Sequence, residues 1–411
     1  DHYVWLDNFT VRNLELLGTL NPEGKSLIDV IDDTQTPMGG RLLKRWVVFP
    51  LKDAKAINRR IELTSSLIDK TSINETICDL LFEIKDLERL ASKISTRRIS
   101  PREMVHLAKA LQAIEQIKQQ VRDSKDKALT GMVKQLDPML DVCSRINEQM
   151  HSEPASAIGK GLVIADNFHA ELDELRNLQN KGKAFLDAIQ ERETKQTGIP
   201  SIKIGYNNVF GYYIEVRNTH KSKVPEEWIR KQTLVNAERY ITEELKEYEA
   251  KILGAEEKIL QLEKQLFDEL ISHVSEYIVP LQENARLLAE LDIFGAFARI
   301  AQRNNYTRPK IVEGETLHIK EGRHPVIEKE LPPGEAYVPN DILLNEQQQI
   351  LMITGPNMSG KSAVLRQTAL IVLMAQIGCY VPAKHVEMGV VDRIFTRVGA
   401  SDNISMGEST F

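Results

Sequence analysis

Two long stretches of the chain place apolar residues at alternating steps of three and four. The first stretch, residues 167–194, carries the seam Phe168, Leu172, Leu175, Gln179, Gly182, Leu186 and Ile189. The second, residues 242–273, carries the seam Leu245, Tyr248, Ile252, Ala255, Ile259, Leu262 and Leu266. This spacing, sustained for about three heptads, is typical of helices that pack along each other. The pattern predicts two long helices that form an antiparallel arm.

Apolar residues also recur at helical spacing before the arm. Residues 36–40 predict the start of one helix, and Ser100, Pro101 and Glu103 fit a capping box at the start of another. A further apolar stripe spans residues 79–94. These stripes predict a helical core, to which we assign no chemistry.

Between the two arm helices, residues 195–240 change character. Residues 202–206 and 212–216 alternate as strands do, and residues 207–211 supply a hairpin connection. Residues 225–228 predict a short helix before the chain enters the second arm helix. The sequence therefore predicts a small β-containing insert at the tip of the arm.

Charge distinguishes this insert from the rest of the chain. The whole chain has a net charge of −6, whereas the insert holds eight basic and four acidic residues. A local excess of cations suits sequence-independent contact with a phosphate backbone. The candidate DNA-contacting residues are Lys203, Asn207, Asn208, Arg217, His220, Lys221, Lys223, Arg230, Lys231 and Asn236. A solvated β tip without a ligand is the alternative that charge alone leaves open.

A glycine-rich run near the C-terminal end matches the phosphate-binding loop pattern: Gly355-Pro356-Asn357-Met358-Ser359-Gly360-Lys361-Ser362. Residues 349–354 before it predict a buried strand, and residues 363–376 after it predict a helix. In such loops, backbone N–H groups and the helix N-terminus bind phosphates. Lysine reaches the β- and γ-phosphates, and the hydroxyl binds Mg²⁺. A strand-to-helix turn without a ligand is the competing interpretation.

Amino-acid composition restricts the classes of protein to which the chain can belong. Cys78, Cys143 and Cys379 are widely spaced and make no metal-ligand pattern, which suits a reducing cytoplasm. The longest apolar run is too short to cross a bilayer. Because the chain begins at Asp1 without methionine and stops at Phe411, we expect it to be part of a longer protein.

Several runs resemble the MutS family of bacterial DNA mismatch repair proteins. Those similar to its ATPase domain are residues 321–325, 337–341, 354–362, 392–400 and 407–411. Residues 36–39, 211–214 and 236–240 match elsewhere, so the resemblance covers essentially the whole chain.

The resemblance implies a multidomain, mainly α protein. Its parts are a helical core, a long antiparallel helical lever arm, a small β-containing clamp at the tip and a truncated α/β P-loop ATPase domain of the ABC type. The implied boundaries are 1–190 for the core and first lever helix, 191–241 for the clamp, 242–305 for the second lever helix and return to the core, and 306–411 for the front part of the ATPase domain.

The resemblance also implies roles for individual residues. Tyr337 and Val338 match positions that pack against adenine, and Asn357, Gly360, Lys361 and Ser362 match the phosphate and Mg²⁺ positions. The implied nucleotide-binding run is residues 355–363, although the family often has threonine where this chain has Ala363. Ser362 matches the Mg²⁺ ligand, and Ser409 matches a signature serine presented to the opposite subunit. The expected cofactors are therefore ATP or ADP with Mg²⁺.

As function, the resemblance implies an ATPase that binds duplex DNA in mismatch repair, with nucleotide controlling clamp opening. It implies a homodimer, a downstream factor of the MutL type, and a place in the bacterial cytoplasm near the nucleoid. The acidic pair needed for hydrolysis would follow Phe411, so this chain alone is expected to hydrolyse ATP negligibly. The alternatives are a mismatch-independent member acting on recombination intermediates, a coiled-coil chromosome-organising ATPase, and a structural arm with a vestigial nucleotide site.

Overall fold

The computed structural model describes residues 2–19, 23–355 and 360–397. The chain forms two compact units. The first comprises Asp1–Thr96, His106–Cys143 and Tyr277–Phe411, and the second comprises Arg97–Val105 and Ser144–Glu276. The described part is mainly helical with small sheets, as the sequence predicts. None of its helices combines the length and the apolar character needed to cross a membrane.

The described elements, in chain order, are as follows. The helices are α1 Asn8–Asn13, α2 Leu27–Ile31, α3 Pro37–Val48, α4 Ala54–Asp69, α5 Thr71–Ile84, α6 Leu87–Ser95, α7 Pro101–Ser124, α8 Lys127–Val133, α9 Leu140–Gln149, α10 Ala170–Thr197, α11 Glu243–Ser275, α12 Ile278–Asn304, α13 Ile327–Glu330 and α14 Lys361–Gln376, with a 3-10 helix at Asn218–Lys223. The strands are β1 Trp5–Leu6, β2 Lys203–Asn207, β3 Gly211–Arg217, β4 Ile229–Thr233, β5 Ala237–Ile241, β6 Lys310–Ile311, β7 Leu317–Gly322, β8 Asn340–Leu344, β9 His385–Met388 and β10 Arg393–Ile394.

Helix α12 is the central helix of the first unit. Almost every residue from Leu287 to Ala301 is buried, because α3, α4, α5 and α6 all pack against it. Phe294 lies against Trp46 of α3, with 5.6 Å between ring centroids. A helix with apolar residues on most of its circumference is expected in the middle of a helical core.

Helix α3 begins where the sequence predicts, and a buried carboxylate holds its start. Thr36 is the N-cap, and its Oγ1 accepts a hydrogen bond from the backbone N–H of Gly39 at 2.9 Å. Asp292 of α12 accepts hydrogen bonds from the backbone N–H and the hydroxyl of Thr36, at 2.8 and 2.6 Å. A β-carbon on Gly39 would lie 2.9 Å from the Asp292 carboxyl carbon, so this approach requires glycine.

The predicted capping box at α7 is present, but the stripe at residues 79–94 belongs to two helices. The Ser100 backbone N–H donates to Glu103 Oε2 at 3.0 Å, and the Glu103 N–H donates to Ser100 Oγ at 3.4 Å. Lys85 has φ +61°, a conformation that ends α5, and Asp86 then caps α6. Apolar spacing continues across this break and therefore does not reveal it.

The first unit contains a four-stranded sheet with the order β6-β9-β7-β8. Strand β7 is antiparallel to both of its neighbours, whereas β6 is parallel to β9. Helix α14 contacts β7.

The prediction of a buried strand at residues 349–354 is wrong, because these residues have an irregular backbone conformation. Ile350 and Met352 are 83% and 84% exposed. A strand requires a neighbour that completes its backbone hydrogen bonds, and the described part of the chain places none beside this segment.

The second unit contains the two long helices. Gln179 of α10 donates to Glu256 of α11 at 3.1 Å, and Arg192 donates to Glu244 at 3.1 Å. Partner numbers fall on α11 as they rise on α10, so the helices are antiparallel. In the predicted seam of α11, Ile259 and Leu262 are half-buried, and the other five residues are buried: Leu245, Tyr248, Ile252, Ala255 and Leu266. The first predicted seam is confirmed only in part. Leu172 and Ile189 are buried, but Gln179 is exposed, and Phe168 lies before α10 and is 38% exposed.

The insert forms a four-stranded antiparallel sheet with the order β2-β3-β5-β4. The predicted hairpin is confirmed, since Asn207 pairs with Gly211. The predicted helix at residues 225–228 is wrong: a turn at residues 226–227 precedes β4, and the helical segment is the 3-10 helix before it. The sheet covers a core with α10 and α11 that includes Ile189, Ile214, Trp228 and Leu245.

Candidate functional site

The described ends of the glycine-rich loop meet at the start of α14. The Lys361 ammonium donates a hydrogen bond to the Gly355 carbonyl oxygen, with 2.6 Å between the two atoms. Gly360, the N-cap of α14, has φ +84°. A β-carbon on Gly360 would meet no atom within 4 Å, so glycine is favoured there by the backbone conformation. The other predicted loop residues lie outside the described residues: Pro356, Asn357, Met358 and Ser359.

The first turn of α14 presents groups that suit a polyphosphate. This helix has 16 residues, and the N–H groups of a first helical turn have no acceptor within the helix. Lys361 adds a positive charge, Ser362 is exposed, and Ala363 contributes its backbone alone. These donors fit nucleotide phosphates, and the Ser362 hydroxyl is an oxygen ligand of the kind that Mg²⁺ accepts.

Tyr337 and Val338 lie near the same helix. The Tyr337 hydroxyl donates to Oε1 of Gln367 in α14 at 3.0 Å. Burial raises the pKa of Tyr337, which keeps the phenol protonated as a donor. Val338 is 78% exposed, which leaves its side chain accessible to a ligand. Gln367 lies six positions after Lys361, a distance of about 9 Å along the helix axis.

Two buried polar residues in this region are absent from the sequence prediction. His324 Nδ1 accepts hydrogen bonds from the backbone N–H groups of Val326 and Ile327, at 3.3 and 3.2 Å. Burial, helped by Arg366, lowers the pKa of His324 to about 4 and keeps the ring neutral. Gln367 is fully buried. The sequence feature that could have identified Gln367 is a polar residue at a helix position that faces the interior.

Among the described residues, the histidine, cysteine and acidic side chains form no group suited to a metal ion. Cys78, Cys143 and Cys379 form no disulfide with one another, and burial raises the pKa of Cys379. Ser409 lies outside the described residues.

The candidate DNA-contacting residues lie on the sheet formed by β2–β5 with its 3-10 helix, here called the basic sheet. Asn207 and His220 are half-buried. The other eight are exposed: Lys203, Asn208, Arg217, Lys221, Lys223, Arg230, Lys231 and Asn236. The sheet therefore gathers cations that are scattered along the sequence onto one small module.

A buried carboxylate neutralises part of this charge. Glu238 on β5 is 2% exposed, and its Oε1 lies 2.6 Å from Lys221 Nζ and 3.4 Å from Arg230 Nη1. It also accepts a hydrogen bond from the Tyr240 hydroxyl. The hydrogen bond from Lys221 is the main cause that lowers the pKa of Glu238, and burial chiefly raises the pKa of Tyr240 to about 12. Lys221 and Arg230 are thus held by an internal anion.

Arg239, which is not among the predicted contacts, is also held within the sheet. Its Nε donates to Glu215 at 2.9 Å, and its Nη1 donates to Gln232 at 2.9 Å. Its guanidinium carbon lies 4.3 Å from the centroid of the Tyr213 ring, a cation–π contact. Arg239 therefore stabilises the strand pairing.

Two of the predicted asparagines shape turns. Asn207 Oδ1 accepts a hydrogen bond from the Val209 backbone N–H at 2.8 Å, which closes an Asx turn in the β2–β3 hairpin. The Asn236 carbonyl oxygen accepts a hydrogen bond from the Asn218 N–H at 3.1 Å. The neighbouring turn residues Val209 and Val235 are 89% and 92% exposed.

Comparison with known proteins relates this chain to one protein family. A family model described as MutS domain III matches residues 9–298, and one described as MutS domain V matches residues 351–411. The chain is 58% identical to the DNA mismatch repair protein MutS of Christiangramia forsetii, and 57% identical to those of Parabacteroides distasonis and Bacteroides fragilis. Each alignment covers 100% of this chain and 47%, 47% and 48% of the respective relative. The chain thus spans about half the length of the curated relatives it matches.

Proposed function

The chain belongs to the MutS family, and from this premise we propose that it supplies the DNA-binding clamp and a nucleotide-binding half-site of a DNA mismatch repair protein. Each of the three relatives is called a DNA mismatch repair protein. Their names favour mismatch repair over the recombination branch, and the matched family models argue against a chromosome-organising ATPase.

The basic sheet is the proposed DNA-binding surface. Its exposed cations contact phosphates of duplex DNA, an interaction that is independent of base sequence. Because Glu238 holds Lys221 and Arg230, the larger share of the binding falls to the other four exposed cations: Lys203, Arg217, Lys223 and Lys231. Helices α10 and α11 are the proposed lever that carries this sheet.

The start of α14 is the proposed nucleotide site. The single observation that carries it is the contact between Lys361 and the Gly355 carbonyl, which brings both ends of the loop to the helix N-terminus. Lys361 and the first-turn N–H groups bind the phosphates, and Ser362 is a ligand of Mg²⁺. Tyr337 and Val338 flank the adenine base. Bound Mg²⁺ supplies neutralisation of the phosphate charge.

In the full-length protein, we propose ATP hydrolysis within a homodimer, where Ser409 faces the nucleotide of the opposite subunit. Nucleotide binding favours the clamp state that releases DNA, and a MutL-type factor acts downstream. This coupling requires that the nucleotide bind the two clamp states with different affinities.

The test is ATP-driven release of the full-length protein from duplex DNA containing a mismatch. Lys361→Ala should bind this DNA normally. The acceleration of its release by MgATP should be smaller by about tenfold or more, because a charge that contacts the phosphates is removed. Release is followed by stopped-flow fluorescence of labelled DNA. Lys310→Ala, which removes an exposed lysine paired with Glu387 in the first unit, is the control. Normal MgATP-driven release by Lys361→Ala would refute the assignment of the loop.

A further inference from the structure

Gln367 joins α14 to the segment that carries Tyr337. Its Oε1 accepts a hydrogen bond from the Tyr337 hydroxyl at 3.0 Å and another from Asn340 Nδ2 at 3.3 Å. Asn340 Nδ2 also donates to the Val338 carbonyl oxygen at 3.1 Å. One amide oxygen on the helix therefore holds both ends of the short segment from Tyr337 to Asn340.

The nitrogen of the same side-chain amide gains no hydrogen bond from the described residues around it. Gln367 is fully buried, and its Nε2 has no hydrogen-bond partner among the described residues. A β-carbon on Gly322 would lie 2.7 Å from this nitrogen, so the amide is pressed against the end of β7. A buried donor without a partner is unfavourable, and an apolar side chain would avoid that cost. The contribution of Gln367 that the geometry shows is therefore the pair of hydrogen bonds that its Oε1 accepts.

We propose that Gln367 is a positioning residue for the nucleotide base. This inference rests on the proposed nucleotide site and names a residue that sets its geometry. Lys361 stands at the phosphate end of α14, and Gln367 stands six residues further along the same rigid helix. The bond to Tyr337 thereby fixes the distance between the phosphate-binding end and the ring that flanks the base. Gln367 itself touches neither phosphate nor base.

A base-selective effect separates positioning from general destabilisation. Tripolyphosphate with Mg²⁺ engages the start of α14 but has no base to contact Tyr337. Loss of the anchor should therefore weaken binding of MgATP and spare binding of magnesium tripolyphosphate. A distorted helix start would weaken both.

The experiment measures both affinities by calorimetry on the full-length protein and on Gln367→Leu. We expect the Kd for MgATP to rise roughly fivefold, the effect of about one net hydrogen bond, while the Kd for tripolyphosphate stays within about twofold. Gln376→Leu is the matched control. Gln376 is a second fully buried glutamine on α14, and it bonds instead to Leu51 and Val391. This control should change both Kd values equally or leave both unchanged.

Tyr337→Phe tests the same link without altering the buried amide. It keeps the ring and removes the hydroxyl, so the Kd for MgATP should rise about two- to threefold and the Kd for tripolyphosphate should not change. An unchanged MgATP affinity in both variants would overturn the inference, as would an equal loss for the two ligands in Gln367→Leu. If the unaltered protein bound neither ligand, the nucleotide site itself would be refuted and the inference with it.

Discussion

Replacing Gly182 by alanine is expected to destabilise the α10–α11 pair, whereas the same replacement at Gly254 is expected to stabilise it. A β-carbon on Gly182 would lie 2.5 Å from Ile252 Cδ1 and 3.2 Å from Tyr248 Cε2. A β-carbon on Gly254 would meet no atom within 4 Å. Both glycines lie inside long helices, so the two substitutions differ mainly in crowding.

The magnitudes follow from two opposing effects. Alanine is favoured over glycine within a helix by about 1 kcal/mol at both sites. At Gly182, inserting a methyl group into a packed contact costs about 1–3 kcal/mol. The Tyr248 ring has little room to move, because Phe185 and Tyr212 pack against it at 5.2 and 5.6 Å between centroids. The net expectation is a loss of up to about 2 kcal/mol at Gly182 and a gain of about 1 kcal/mol at Gly254.

Hydrogen exchange measured by mass spectrometry is the appropriate assay, because it reports the local stability of each helix in a chain with two units. In Gly182→Ala, α10 and α11 peptides should exchange faster, by up to about thirtyfold. In Gly254→Ala, they should exchange about fivefold more slowly. If both substitutions slowed exchange equally, the close packing of Gly182 against Tyr248 and Ile252 would be refuted.

Two further predictions concern the candidate sites. Charge reversal at the exposed Lys223 and Lys231 should weaken duplex DNA binding and reduce the slope of log affinity against log salt by about one per lost phosphate contact; an equal effect of Lys310→Glu in the other unit would contradict this. Because burial lowers the pKa of His324 to about 4, the neutral ring stabilises the fold fully above about pH 6.5, and this stability is lost as the pH falls toward 4. Between pH 7 and 4.5, urea unfolding should therefore show a loss of about 2.5 kcal/mol that His324→Asn lacks; identical pH dependence of the two proteins would rule out a buried neutral His324.

Local signals were sufficient for much of the helical structure. The starts of α3 and α7 depend on capping residues within one turn, and the seam of α11 depends on spacing within one helix. Such signals use neighbours in sequence and need no knowledge of the tertiary fold. The glycine-rich loop before α14 was identified for the same reason.

Strands depended on partners that the local pattern does not specify. Strand β4 contains Arg230 and Lys231, and β5 contains Glu238 and Arg239, so neither shows clear apolar alternation. The apolar residues 349–354 showed a strand-like pattern and form no strand. Pairing across a sheet outweighs intrinsic strand preference in both cases.

The sequence by itself determined the mainly helical class, the two long helices, the residue types of the basic insert and the position of the glycine-rich loop. The tertiary structure alone decided that Glu238 pairs with Lys221 and Arg230, and that Gln367 holds Tyr337, 30 positions away in the chain. A count of charges is the same whether a cation faces solvent or a buried carboxylate. The availability of a cation to a ligand depends on its distance from other charges and on its burial, and both arise only when remote segments pack together.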